Sequence, residues 1–157
     1  MRLVFRACVL SLLLACTARA AEVELVRVWP GWRDADSFER LGEYFGRGEN
    51  TGRDQILRTQ PAAREGFYFL VRTKTATPLT GARFELSVIR PNQPEPKTYT
   101  LAADLPAKEA VFHVGLTGAD WPGGKEARPV AWKLAVLSAD GTKLAEQKSF
   151  LWEKPAK

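Results

Sequence analysis

From Glu65 onward the apolar residues recur at every second position in short runs, and proline, glycine, asparagine or aspartate separates one run from the next. A period of two puts successive side chains on opposite faces of an extended chain, so each run makes a strand with one apolar face. Short strands of this kind bury those faces together only as an antiparallel sandwich or barrel. The pattern is sharpest near the end, where Val130, Trp132, Leu134 and Val136 alternate with Ala131, Lys133, Ala135 and Leu137 before Ser138-Ala139-Asp140-Gly141-Thr142. Asp-Gly between two strand patterns marks a hairpin. The return strand is expected over about Lys143 to Trp152, with Leu144, Phe150 and Trp152 on one parity. A bulge near Glu146 to Lys148 would keep those polar residues from pointing inward.

Earlier runs carry the same signal. Phe67, Phe69 and Val71 alternate with Tyr68, Leu70 and Arg72; Phe84, Leu86 and Val88 alternate with Arg83, Glu85 and Ser87. Pro91, Pro94 and Pro96 then interrupt the chain, because proline has no N–H to give to a ladder. Thr98 to Leu101 is expected as a short edge strand, and Phe112, Val114 and Leu116 as the core side of the next. The stretch from Gly118 to Arg128, with Pro122-Gly123-Gly124, reads as a loop. Phe69, Leu86, Trp132 and Val136 are therefore expected in one core. With a first strand at about Val23 to Val28, the count is about seven strands in roughly 130 residues.

That count, and the pattern AWKLAVLSADGTKLAEQKSFLW at the terminal hairpin, resemble bacterial immunoglobulin-like or fibronectin type III-like sandwich domains over Gly66 to Trp152. The resemblance implies an all-β, immunoglobulin-like antiparallel sandwich, and an adhesion, assembly or spacer role. The Cys-Trp-Cys triad of antibody domains is missing from this sequence.

The N-terminus has the three regions of a secretion signal. Arg2 and Arg6 supply charge, Ala7 to Ala15 form an apolar run, and Ala18-Arg19-Ala20 offers a small-x-small cleavage site. Residues 1–20 are thus expected to be removed, leaving residues 21–157 as one domain in the periplasm or outside the cell. The apolar run is about nine residues, against the roughly twenty that a membrane-spanning helix needs. Leu13-Leu14-Ala15-Cys16 also reads as a lipobox, in which Cys16 would carry a lipid anchor.

Removing the leader changes the chemistry available. The whole chain has 23 basic and 18 acidic residues, and Arg2, Arg6 and Arg19 go with the leader, leaving 20 against 18. A net charge of +2 without a basic tract excludes nucleic acid as a partner. Cys8 and Cys16 are the only cysteines and also lie in the leader, so cleavage after Ala20 leaves no thiol or disulfide.

Residues 29–65 exceed what a minimal sandwich needs, and a connection of that length without structure is unusual. A helix is expected within them: Asp36 or Ser37 caps its start, Phe38, Leu41 and Phe45 form one apolar stripe, and Gly46 ends it. Such a stripe would cover an end or edge of the sandwich. The functional alternative is a recognition surface of Trp29, Trp32, Arg33, Asp34 and Tyr44, with Trp121 in the later loop as the better exposed candidate. Aromatic rings stack on apolar faces of peptides or sugars, and neighbouring charges orient polar groups.

Catalytic parts are harder to find. His113 is the only histidine, flanked by Phe112 and Val114 at an outward strand position, and cannot by itself build a multi-histidine metal site. None of Ser37, Ser87, Ser138 and Ser149 lies in a Gly-x-Ser-x-Gly elbow. Gly46-Arg47-Gly48-Glu49-Asn50-Thr51-Gly52 lacks the Lys-Ser/Thr ending of a phosphate loop. Asp34 and Asp36 leave carboxylate chemistry open, although helix capping accounts for both. The expectation is an exported module that catalyses nothing, uses no metal or cofactor, and engages a protein partner; the alternative is a carbohydrate-binding module using exposed aromatics.

Overall fold

The computed structural model describes residues 23–38 and 54–153. Among them, eight strands run β1 (Val23–Arg33), β2 (Gln55–Arg58), β3 (Gly66–Thr75), β4 (Leu79–Arg90), β5 (Gln93–Leu105), β6 (Lys108–Thr117), β7 (Ala131–Leu137) and β8 (Lys143–Lys148). They form two four-stranded sheets, β1-β3-β6-β2 and β5-β4-β7-β8, which pack as an all-β sandwich. Every pairing is antiparallel except β2 with β6.

The core is built from the parities that the sequence predicts. Phe67, Phe69 and Val71 of β3 and Phe112, Val114 and Leu116 of β6 are buried against Phe84, Leu86 and Val88 of β4 and Trp132, Leu134 and Val136 of β7. Ring contacts lock the sheets together: Phe84 meets Phe112 edge-on at 5.0 Å, and Phe69 meets Trp132 at 5.5 Å. Such pairs add about 0.5–1.5 kcal/mol beyond the area they bury.

The outer face of the first sheet departs from a simple solvated surface. Tyr68, on the mixed parity of β3, is buried because Phe38 covers it at 4.7 Å and Arg58 donates to its hydroxyl at 2.8 Å. Its hydroxyl in turn donates to Arg64 O at 2.6 Å. Opposite, Gly115 gives the ring its bed: a Cβ there would stand 2.3 Å from the Tyr68 ring. His113 keeps its expected outward position and pairs with Asp54 at 3.1 Å.

Several boundaries differ from expectation, each for a physical reason. The first strand runs five residues past Val28. A register shift between Leu25 and Arg27 leaves Val26 exposed and resets the phase, so that Val28, Pro30 and Trp32 pair with Val71, Phe69 and Phe67. Pro30 is tolerated because β1 is an edge strand, with β3 as its one neighbour. The expected 29–65 insertion therefore contains strand: 29–33 belong to β1, and 55–58 form β2 alongside β6. The expected helix appears in its described part as a 3-10 turn, Ala35–Phe38; Leu41, Tyr44, Phe45 and Gly46 lie outside the described residues, as does the leader with Cys16.

On the other sheet, β5 is longer than the expected four residues and includes Pro94 and Pro96, again because it is an edge. The return strand is shorter than expected. Its irregularity falls between the Val136–Ala145 and Leu137–Lys143 pairs rather than at Glu146 to Lys148. Glu146 stays outward with Lys143 at 2.9 Å. Ser149 closes the ladder through Trp132: its N–H donates to Trp132 O and its hydroxyl accepts the Trp132 N–H, both at 2.9 Å. The chain then turns through a 3-10 segment, Phe150–Glu153, which leaves Phe150 88% exposed instead of on the core parity.

Asp140-Gly141 does form the hairpin. Gly141 has φ of 90°, a region open to glycine, and Ser138 N–H donates to Thr142 O at 2.9 Å. Hydrogen bonds from the Ser138 hydroxyl and the Thr142 N–H lower the Asp140 carboxyl to about 2.

Two outcomes are expected. Trp132→Ala should cost about 3–5 kcal/mol in denaturant unfolding, the range for truncating a core aromatic. Asp140 has a folded value below the ordinary value of about 3.9, so its contribution is present above that value and lost as pH falls toward 2. Asp140→Asn should accordingly melt below the wild type at pH 7, with the gap closing in acid. A gap independent of pH would refute the assignment.

Candidate functional site

Antiparallel pairing brings one set of loops to the end of the sandwich where β1 finishes and β3 begins. Arg33 is opposite Gly66, and Trp32 is opposite Phe67. Phe67 stacks on Trp121 at 4.7 Å with 29° between the rings, so Trp32, Phe67 and Trp121 form a row across that end. The β4–β5 connection and the segment from Gly118 to Val130 meet beside it.

Between these two segments is a cleft of about 360 Å³, walled by Arg90, Pro91, Gln93, Trp121, Pro122 and Ala127. Trp121 is held as a fixed wall, its indole Nε1 donating to Gly124 O at 3.0 Å. Arg90 lies 5.8 Å from the Trp121 ring centre, and its Nη2 donates to the Tyr99 hydroxyl and to Asp120 O. The buried Arg90 Nε meets no acceptor. Arg128, on the far side of the row, sits 5.9 Å from the Phe67 ring and donates to Lys125 O at 2.6 Å and Ala127 O at 3.0 Å.

Asp120 braces this end through its side chain. Its Oδ1 takes Lys97 at 3.2 Å and its Oδ2 takes Gln60 at 3.0 Å. Burial pushes the carboxyl up, but hydrogen bonds from Gln60, Lys97 and Thr59 and the Lys97 charge outweigh it, leaving Asp120 below its ordinary value. Thr117 ties Gln60 to the end of β6 in both directions, accepting its N–H and donating to its carbonyl at 2.9 Å each. The loops around the cleft are thus held by hydrogen bonds.

The expected site residues divide between two surfaces. Trp29 points outward from the first sheet, 36% exposed, with Arg27 at 4.7 Å and Arg72 at 5.8 Å over its ring. Trp32 has the opposite parity and packs half-buried against the core, donating from Nε1 to Asp34 Oδ1 at 2.9 Å. Asp34 also accepts the Ser37 N–H through its carbonyl, so it serves the local turn; Arg33 is exposed. Trp121 is 5% exposed, which corrects its standing as the better exposed tryptophan: Phe67 and the Gly124 carbonyl hold it inward. Tyr44 lies outside the described residues.

Arg90, Gln93, Lys97 and Asp120 were not legible as site residues. In sequence they sit in a proline-rich turn, an edge strand and a loop, and only the fold brings these together.

No protein-family model matches this chain, and no curated protein is significantly similar to it.

The burial order makes a chemical prediction. Graded oxidation with N-bromosuccinimide, followed by peptide mass mapping, should modify Trp29 before Trp121 and Trp132. Early oxidation of Trp121 would show that the loop wall is open.

Proposed function

We propose that this chain is an exported, non-catalytic binding module of immunoglobulin-like type that engages a protein partner at the cell envelope. The topology supports the fold assignment. With β2 set aside, β1-β3-β6 follow the A-B-E order and β5-β4-β7-β8 the C′-C-F-G order of such domains. The additional β2 occupies the place beside strand E where a D strand sits. Export and envelope location rest on the leader in residues 1–20.

The observation that carries the binding function is the exposed apolar group at the loop end. Phe150 is 88% exposed, with Leu151 and Val130 also exposed. Hydrogen bonds in both directions tie Ser149 to Trp132, so the 3-10 turn that carries Phe150 and Leu151 starts beside β7, two residues on from Val130. Large exposed apolar side chains grouped on a soluble domain mark contact with another macromolecule, since leaving them in water forgoes about 25 cal/mol for each Å² of apolar surface. The glycan alternative rests mainly on Trp29, whose ring is already attended by two arginines.

Photo-crosslinking in the native host tests this. A benzoylphenylalanine at position 150 should yield a discrete protein adduct, and Leu151→Ser should reduce that adduct several-fold at unchanged thermal stability. The same probe at position 29 should give none. Adducts only from position 29, or specific retention on a glycan array without any protein adduct, would overturn the proposal.

A further inference from the structure

Among the described residues, no carboxylate forms an ion pair with Arg90. Its Nη2 partners are a phenol and a main-chain carbonyl, both neutral, and the nearby Asp120 carboxylate is turned toward Lys97 and Gln60. The buried Nε lies out of reach of the cleft, so the guanidinium meets a ligand through its unburied Nη1 while its charge stays without an ionic partner. Both Nη2 hydrogens are taken, so Nη1 is the donor left to a ligand, and a charge-assisted N–H···O bond to a carboxylate is roughly twice as strong as one to a neutral oxygen.

The rest of the cleft narrows the ligand further. Pro91, Pro122, Ala127 and the held Trp121 offer rigid apolar walls, and Gln93 adds an amide at the rim. A volume of about 360 Å³ accommodates one or two side chains rather than a folded element. The exposed Phe150, Leu151 and Val130 stand at the same end of the sandwich, which favours a protein over a sugar as the carrier of the carboxylate.

We infer that the cleft between the β4–β5 connection and the 121–127 loop is a carboxylate-binding subsite that takes an acidic residue carried in an extended, apolar stretch of a partner protein. This rests on the protein-binding function proposed above and specifies the chemistry of its anchor. Arg90 receives the carboxylate, and Trp121 and the prolines take the flanking alkyl or pyrrolidine groups.

The test is an NMR titration of the whole mature protein with the blocked tripeptide acetyl-Pro-Glu-Pro-amide, its glutamine analogue, and glucuronate. The glutamate peptide should shift the Arg90 Nε–H and Trp121 indole signals, with the glutamine peptide at least about ten-fold weaker, as expected for losing charge-assisted hydrogen bonds. Arg90→Lys should weaken the glutamate peptide by a similar factor. Because Arg90 also braces Tyr99 and Asp120, the exposed rim residue Asn92 provides a second variant. Asn92→Asp should weaken the glutamate peptide several-fold by repulsion, with melting temperature unchanged. Equal binding of the glutamate and glutamine peptides, or no shift at millimolar peptide, would overturn the subsite. Tighter binding of glucuronate than of the peptide would overturn the peptide assignment in favour of an acidic glycan. The cross-link from position 150 is read independently, so a failed titration with an intact adduct removes the subsite and leaves the protein-binding function standing.

Discussion

The contact between the two sheets is what the rest of the molecule depends on. Phe84 against Phe112 and Phe69 against Trp132 join β4 and β7 to β3 and β6, and these central strands carry most of the fully buried side chains. Neither sheet can bury its apolar face without the other, so the parity of each central strand is set by the partner sheet as much as by its own residues. Edge strands answer to a weaker constraint. β1 and β5 admit prolines and register shifts because one side of each makes no ladder within the sandwich.

From that arrangement the loop end inherits its geometry. Phe67 belongs to the core row of β3, yet it is also the ring on which Trp121 stacks and beside which Trp32 lies. The wall of the cleft is therefore an extension of the core and shares its rigidity. Arg90 follows directly from the last core positions of β4, and hydrogen bonds to Tyr99 and Asp120 hold its guanidinium. A side chain held in this way has little conformational freedom left to lose, which is the advantage of loops mounted on a stiff scaffold.

The outer face of the first sheet has a separate organisation. Phe38, Tyr68, Arg58 and the His113–Asp54 pair form a small layer on β3 and β6, over the glycine that makes room for the tyrosine ring. That layer explains why a tyrosine at an outward position is buried. It also accounts for part of residues 29–65 by packing, which leaves Trp29, Arg33 and Asp34 as the described members of the expected recognition surface that are exposed.

Period-two alternation by itself determined the core of β3, β4, β6 and β7 and the Asp140-Gly141 hairpin, because side-chain direction in a strand follows sequence position directly. It could not reveal β2, whose four residues become a strand only by lying parallel to β6, more than fifty positions away. Nor could it reveal the phase reset at Val26 or the end of β8 at Lys148, since a bulge and a hydrogen bond that the Ser149 hydroxyl accepts from Trp132 are decided by the neighbouring strand. The aromatic and arginine residues were visible as candidates, but their grouping was not: strand parity separated Trp29 from Trp32, and antiparallel return of distant segments placed Arg90 beside Trp121. Local periodicity is written in adjacent residues, whereas a cleft is written in which loops share an end, and that depends on how the strands pair.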